Sequence, residues 1–426
     1  MSDTIARDIT GQRGDVAARL SNNMDSSNTK TRVLIVHNIY KIKGGEDSAV
    51  RQQQELLEKH GHPVFMYTRD NDETDTYGPL RKVTFFLISF FSLRTYREIR
   101  AIVRRFKPDV AHVHNVFPLI TPAVYWALKR EGVPVIQIVH NFRFMCANGL
   151  FFRDGHPCEL CKTGRTWNGV RYRCYRDSIP LSALYSGILA LSRLMRTWRK
   201  IDCFIALNPF TARKLVEGKI TEPERIRVLG NFAPAAHRQP GSFEQRAPYV
   251  VFIGRLSVEK GVDVLIDAAA RVPELGVKII GDGPLEEELR ARAASLPNVE
   301  FLGRVEGEQK FALLREARAV IFPSLCYENF SLVLLEALSV GTPIIASRLG
   351  GLPTILNEGK DSLLFTPGDA GALAELLRQV LEQPELMLQL GRHGLEVTLP
   401  EYTEARHYQR LMDIQAEVMG NSAVAR

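Results

Sequence analysis

Short apolar runs alternate with helix-length stretches along most of this chain, and the scheme restarts once. Val33–Val36, Val64–Tyr67, Val110–Val113, Val133–Val139, Cys203–Leu207 and Ile226–Leu229 read as buried strands. Helices are expected between them, among others from about Asp47 to His60 and from Pro122 to Glu131. Apolar strands separated by helices imply a parallel sheet covered on both faces. After Asn231 the run Ala233–Ser242, rich in Ala, Pro and Gly, breaks the pattern and reads as a linker. A strand at Tyr249–Ile253 opens a second series that continues to Pro367, and a helical region from about Ala370 to Met419 closes the chain. The fold class is therefore α/β, with two doubly wound parallel-sheet domains of Rossmann-like type. A length of 426 residues agrees, because it exceeds what one core normally serves.

Composition excludes several classes. With 45% hydrophobic and 24% charged residues the chain is an ordinary globular one. Residues 1–30 are polar and poor in aromatics, and are expected to be disordered. The opening MSDTIARDITG has no apolar core of signal-peptide type, and no stretch of about 18 apolar residues follows anywhere. A cytoplasmic location is expected.

The net charge of +7 is uneven. Between Arg81 and Lys107 stand eight Lys and Arg against one acid, Glu98, an excess equal to that of the whole chain. Phe85, Phe86, Leu87, Ile88, Phe90, Phe91 and Leu93 are interleaved with them. A second stretch, Leu181–Lys200, ends in Arg193, Arg196, Arg199 and Lys200 around Trp198. Basic and apolar residues mixed in this way suit an anionic membrane surface, here the inner face of the cytoplasmic membrane. The bland alternative is a core face with solvated arginines behind it. Nucleic acid is not expected as a partner, since no recognition module accompanies the charge.

The most telling segment begins with an apolar strand, Arg318–Phe322, and runs into the loop Pro323–Ser331 with Glu328 in it. An apolar helix carrying Glu336 follows. Carboxylates beyond the carboxyl end of a parallel strand lie where open α/β sheets bind ligands. Each can accept two hydroxyl protons, which suits a ribose or a hexose.

PSLCYENFSLVLLEALSVGTPIIAS (Pro323–Ser347) resembles the E-x7-E segment of family-4 glycosyltransferases, retaining enzymes of the GT-B type. Three more stretches match upstream, in the order such enzymes show: Val250–Ala269, Val277–Arg290 and Val299–Ser324. The resemblance implies two Rossmann-like domains facing a cleft, with the last helix crossing back to the first domain. The expected boundaries are a tail 1–30, an acceptor-binding domain 31–232, a linker 233–248, a nucleotide-sugar-binding domain 249–390, and a final helix with tail 391–426.

The same resemblance assigns roles. Arg255 and Lys260 are expected to hold the donor diphosphate and to steady the charge that develops on it as the glycosidic bond breaks. Gly281, Asp282 and Gly283 open a helix beside the nucleotide, although the physics alone allows a plain turn. Arg304 and Val305 belong to a segment whose backbone meets the base. Glu336 is expected on the ribose and Glu328 against the donor sugar, with the roles of sugar ligand and nucleophile both open for Glu328. The loop amides of Asn329, Phe330 and Ser331 should reach phosphate or sugar. In the first half, Gly44 and Gly45 resemble the glycine loop that closes over the diphosphate, and His140 the histidine near the reacting carbon. His112 reads as structural, while His114 fits either reading. One departure stands out: where these enzymes often carry a Glu after the Gly350-Gly351-Leu352-Pro353 run, this chain has Thr354.

Two further groups need weighing. Asp70-Asn71-Asp72 has the form of a metal-binding acid pair, but its polar surroundings read as a turn. With Arg255 and Lys260 present, no metal cofactor is required for catalysis. Cys146, Cys158, Cys161 and Cys174 have the spacing C-x11-C-x2-C-x12-C, which suits a structural zinc, with His156 as a substitute ligand, or an iron–sulfur cluster. Four reduced cysteines are the alternative. The arginines of this stretch (143, 153, 165, 171, 173 and 176) point to an anionic acceptor.

These expectations converge on a retaining glycosyltransferase of hexosyltransferase type. It would use a nucleotide-diphosphate sugar and a lipid-linked saccharide acceptor in bacterial surface or exopolysaccharide synthesis. The rivals are a sugar phosphorylase or synthase on the same fold, and a non-catalytic nucleotide-sugar or membrane-binding module.

Overall fold

The structure, a computed structural model, describes residues 30–41, 44–74, 89–233 and 246–424. The expected tail, the larger part of the linker, and the Arg81–Ile88 portion of the basic stretch lie outside the described residues.

The first sheet contains β1 (Val33–Ile39), β2 (Val64–Asp70), β3 (Val110–Val113) and β4 (Val135–Val139). A small hairpin follows, β5 (Phe152–Arg153) with β6 (His156–Pro157), and then come β7 (Cys203–Ala206) and β8 (Ile226–Val228). The strand order is β2-β1-β3-β4-β7-β8. Val33 sits opposite Val64 and Val110, in parallel register on either side. The second sheet contains β9 (Ala247–Ile253), β10 (Gly276–Ile280), β11 (Val299–Gly303), β12 (Ala317–Phe322), β13 (Ile344–Ser347) and β14 (Ser362–Phe365). Its order is β11-β10-β9-β12-β13-β14. Both sheets have the doubly wound Rossmann-like topology, so each has a point where the strand order reverses.

The second sheet is buried on both faces, as unbroken apolar strands require. Val250, Phe252, Ala319, Ile321 and Ile345 enter one core. Their neighbours Tyr249, Val251, Val320, Phe322, Ile344 and Ala346 enter the other. The alternation is the two-residue period of a strand, read here on two cores instead of a core and water. By contact the chain divides into two compact units, one of Met1–Ile138, Ala190–Ile205 and Met412–Arg426, the other of Val139–Leu189 and Ala206–Leu411.

Some element bounds differ from the sequence reading. β1 runs three residues past Val36, and β9 starts at Ala247. The first helix starts at Gly45, because the Asp47 carboxylate accepts the Gly44 N–H at 3.1 Å and caps it there. Two helices stand where only charge was read. In helix Leu93–Phe106 the side chains of Ile99, Ile102, Val103 and Phe106 are core, at the i, i+3, i+4, i+7 spacing of one helix face. Three of its five arginines are paired, Arg94 with Glu98 and both Arg100 and Arg104 with Glu131. In helix Ile179–Leu194 the side chains of Leu184, Tyr185, Ile188 and Leu189 are buried, and so is Trp198 beyond it. Each stretch thus gives one helix face to the core, while Phe90 and Phe91 are half-buried and Leu93, Leu194 and Met195 stay exposed beside the arginines.

The loops at the strand ends are packed backbone to backbone. Gly261 has φ +64°, and a Cβ there would stand 2.1 Å from the Pro323 carbonyl oxygen. Gly261→Ala is therefore expected to cost at least about 1–3 kcal/mol, the scale of left-handed strain alone. A lowered midpoint in denaturant unfolding would show it; an unchanged midpoint would mean the two loops can separate freely.

Candidate active site

The reversal point of the second sheet lies between β9 and β12, and the chain places opposite charges on the two sides of it. Beyond β9 come Gly254, Arg255 and the short turn Val258–Lys260; beyond β12 comes the loop Pro323–Ser331. The Glu328 Oε1 accepts hydrogen bonds from Lys260 Nζ at 2.6 Å and from Ser324 Oγ at 2.7 Å. Glu328 is 9% exposed. Burial pushes its pKa up, but the Lys260 charge and the hydrogen bonds from Lys260 and Ser324 outweigh it, so the carboxyl sits below its ordinary value. Lys260 is shifted upward: burial works against its charge, and Glu328 more than compensates. Arg255, by contrast, is exposed and forms no ion pair among the described residues.

Both neighbours of Glu328 are fastened. Asn329 Nδ2 donates to the Val139 carbonyl at 2.9 Å, at the end of β4 and directly before His140. Its Oδ1 accepts from Asn208 Nδ2 at 3.0 Å and from the Thr211 hydroxyl. The Asn329 side chain is thereby committed to protein partners. On the other side the Tyr327 hydroxyl donates to Glu159 at 2.9 Å. Gly350 and Gly351 close the loop from below: a Cβ on the first would meet Tyr327 Cα at 2.7 Å, and one on the second the Glu328 and Asn329 carbonyls. The Gly351 N–H donates to the Glu328 carbonyl at 2.8 Å. Thr354 turns inward on its own helix, its hydroxyl donating to the Gly351 carbonyl at 2.7 Å.

Glu336 lies in helix Leu332–Ser339, whose first residue follows Ser331. Its Oε1 accepts from Lys310 Nζ at 2.6 Å, whereas its Oε2 is buried without a hydrogen-bond partner. Arg304 and Asp282 form an exposed pair at 3.2 Å. Gly281 and Gly283 lie against the Gly254 and Leu256 backbones. Val305 joins the apolar core, as does Phe330, whose ring meets Tyr402 edge-on at 5.5 Å.

The first sheet reverses between β1 and β3, and histidines stand at both strand ends. His37 Nε2 and Asp47 Oδ1 are hydrogen-bonded at 2.8 Å, and the His37 and His114 rings meet edge-on at 6.1 Å. Burial raises the Asp47 pKa, but hydrogen bonds from His37 and the Gly44 amide hold it below its ordinary value overall. This His–Asp pair was not singled out from the sequence; a His ending a strand, ten residues before an Asp, was the available signal. Gly44 and Gly45 are open, with no atom within 4 Å of a built Cβ. His112 is fully buried, Gln53 and Gln415 each reaching one ring nitrogen, in keeping with a structural part. His140 follows β4 and is half-buried. In the Asp70–Asp72 triplet, expected as a turn, Asp70 ends β2 and Asn71 and Asp72 begin a short 3-10 helix, Asn71–Thr74; Asp72 N–H donates to Asp70 Oδ1 at 2.9 Å, and Asn71 accepts from Asn38.

All four segment cysteines are free thiols, Cys146 and Cys161 buried, Cys158 and Cys174 half-buried. Burial, followed by the neighbouring thiols, pushes Cys161 up to about 12 and Cys174 up to about 11. Among the described residues no group of three or more His, Cys, Asp or Glu is arranged to hold a metal ion, so the metal reading of these cysteines gains no support from the geometry.

Residues 235–397 match the family model of glycosyl transferases group 1, and residues 43–236 that of glycosyltransferase family 4. The chain is 37% identical over 295 residues to a phosphatidyl-myo-inositol mannosyltransferase of Mycobacterium leprae, covering 68% of each. Over 319 residues it is 28% identical to the sulfoquinovosyl transferase SQD2 of Arabidopsis thaliana, covering 72% of this chain and 56% of the relative. Over 239 residues it is 29% identical to the O-antigen chain mannosyltransferase C of Escherichia coli, covering 51% and 63%. The chain thus spans less than two thirds of the last two relatives. Anabaena HepE, solved in complex with UDP, shares the fold with a TM-score of 0.64 at 16% identity, covering 91% of this chain and 100% of that one. The chain belongs to the family-4, group 1 glycosyltransferases, with the GT-B pair of Rossmann-like sheets.

The Lys260–Glu328 pair fixes a pH signature. The folded pKa of Glu328 lies below the unfolded value of 4.5, so its stabilisation is complete above that value and is lost as pH falls through the folded one. The stability gap between wild type and Glu328→Gln should therefore be constant near neutrality and close below pH 4.5. A gap that persists unchanged into acid would contradict an ionised Glu328.

Proposed function

We propose that the protein is a retaining glycosyltransferase of hexosyltransferase type. Its donor is a nucleotide-diphosphate sugar, and its acceptor a lipid-linked saccharide in bacterial surface or secreted polysaccharide synthesis. The observation that carries the reading is the ionised, buried Glu328 held by Lys260 and Ser324 at the reversal point of the second sheet. Eight residues on, Glu336 offers a buried oxygen with no hydrogen-bond donor. Such an atom is costly to leave unsatisfied, and a ribose hydroxyl would satisfy it.

In this reading Arg255 and Lys260 take the diphosphate, Glu336 the ribose, and Glu328 a hydroxyl of the transferred sugar. The bond from the anomeric carbon to the diphosphate breaks as the acceptor oxygen attacks from the same face. The acceptor proton passes to the leaving phosphate oxygen, and the two cations steady the charge there. His140, which follows the carbonyl that Asn329 holds, would hydrogen-bond a sugar hydroxyl near the reacting carbon. The HepE complex makes UDP-sugars the first donors to try.

Association with an anionic membrane face belongs to the same reading, through the two basic stretches read in the sequence and through a third surface between them. No helix among the described residues is long and apolar enough to cross a membrane. Leu160, Trp167 and Ile179 are 47%, 58% and 50% exposed. Between Leu160 and Arg176 there are five Lys and Arg and no acid. Exposed Trp beside unopposed arginines is the composition of a surface that rests on anionic lipid.

Purified protein should be given a panel of radiolabelled sugar nucleotides with membrane lipid extract. At least one donor should be turned over, and Lys260→Ala and Glu328→Ala should each lower kcat by about 100-fold or more. If no donor is turned over and neither substitution alters donor binding, the enzyme reading fails. Label transferred to inorganic phosphate instead of lipid would favour a phosphorylase. Arg171, Arg173 and Arg176→Glu should abolish sedimentation with anionic vesicles; unchanged sedimentation would remove this surface from the reading.

A further inference from the structure

The cysteine-bearing segment has no part in the chemistry above, yet it ends on the donor loop. Its chain is folded on itself: Phe142 N–H donates to Gly149 O at 2.9 Å, and Cys158 N–H to Phe151 O at 2.7 Å. A turn closes over Cys158-Glu159-Leu160-Cys161, with Lys162 N–H donating to Glu159 O at 3.0 Å. This knuckle presents the Glu159 carboxylate. Its Oε1 accepts from the Tyr327 hydroxyl at 2.9 Å and from Lys214 Nζ at 2.8 Å, while Oε2 accepts from Lys162. Lys162 and Lys214 also share Glu217, at 2.8 and 2.9 Å. Two cations and two anions thus form a neutral, closed cluster around the phenol. The Tyr327 ring is enclosed as well, edge-on to Phe210 at 4.8 Å, to Phe142 at 6.2 Å and to Phe151 at 6.4 Å. Two of those three rings come from the cysteine segment.

We propose that the cysteine-bearing segment is a positioning element of the donor site, acting through Glu159 and Tyr327 on the adjacent Glu328. The inference rests on the glycosyltransferase reading, and gives a task to a motif that reading left without one. The lever is short. Tyr327 and Glu328 are consecutive, Gly350 leaves no room below Tyr327 Cα, and Glu328 must meet Lys260 at 2.6 Å. A displacement of about 1 Å at a reacting site costs on the order of 100-fold in rate. Releasing the phenol frees the loop on one side only, because Asn329 still holds the other. The effect should therefore fall on turnover and spare nucleotide affinity, which depends on Arg255 and Glu336.

Tyr327→Phe is the first test, because it keeps the ring packing and removes only the hydroxyl. With whichever donor the wild type turns over, kcat should fall about 10-fold while nucleotide Kd stays within about 3-fold. Glu159→Gln, which keeps an acceptor oxygen, should retain more activity than Glu159→Ala. The Glu159→Ala/Tyr327→Phe double variant should be no worse than the worse single one, since both remove one interaction. If Glu159→Ala does not fold, Tyr327→Phe and Glu159→Gln decide. A Tyr327→Phe enzyme with wild-type kcat overturns the proposal, as does one that loses turnover and nucleotide affinity in equal measure. A wild type that turns over no donor sinks the glycosyltransferase reading itself, a different and separable failure.

Discussion

A carboxylate as buried as Glu328 stays ionised only where a cation and hydroxyl donors have been brought to it, and that requirement organises the second sheet. Taking one ion out of water costs several kcal/mol, and removing the partner of a buried pair costs about 3–5 kcal/mol. Lys260 and Ser324 must therefore arrive together. They arrive from loops after two strands that are neighbours only because the strand order reverses there. The tight backbone contacts follow from this need. Gly261 lets the β9 loop touch the Pro323 carbonyl, and Gly350 and Gly351 let the β13 loop lie under Tyr327 and Glu328. A side chain at any of these positions would push the two charges apart.

The strands were legible because short unbroken Val and Ile runs have few uses other than a buried strand, and both sheets fall where those runs stand. The helix Leu93–Phe106 was obscured by its arginines, which drew the eye to charge while Ile99, Ile102, Val103 and Phe106 marked its core face. At the candidate site, residues near one another in sequence were readable as a motif: Lys260 with Arg255, and Glu328 with Glu336. What holds them was not. Asn329 reaches Val139 across 190 positions, and Tyr327 reaches Glu159 across 168. No spacing rule encodes a hydrogen bond between side chains so far apart. The same limit hid the His37–Asp47 pair, whose two members are ten positions apart on a strand end and a helix start. The unsatisfied Glu336 oxygen is a property of packing alone, and no single residue announces it.

The charge of the chain illustrates the same limit. Basic residues between Arg94 and Lys107 look like an unopposed patch in sequence, yet Glu131, more than twenty positions on, takes up two of them. In the stretch from Leu160 to Arg176, Lys162 is answered by Glu159 and Glu217, whereas Arg165, Arg171, Arg173 and Arg176 are exposed, as are Leu160 and Trp167. Charge that is answered inside the fold says little about partners; charge left facing water does.

Holding a buried acid by both its sequence neighbours has a consequence for how the loop can bind anything. Asn329 and Tyr327 are the polar residues that flank Glu328 in sequence, and the side chains of both are consumed by fastening. What the loop can still offer a sugar or phosphate is Glu328 itself and the main chain toward Ser331. Specificity in this part of the site would then come from shape and backbone direction, with one carboxylate for orientation. A loop of that kind needs rigid supports, because backbone groups cannot adjust by changing rotamer as side chains do. The supports present are the Asn208–Thr211–Asn329 cluster on one side and the aromatic and ionic cage of Tyr327 on the other. Rigidity here substitutes for a larger set of recognising side chains, and the cysteine segment supplies part of it through Glu159, Lys162, Phe142 and Phe151.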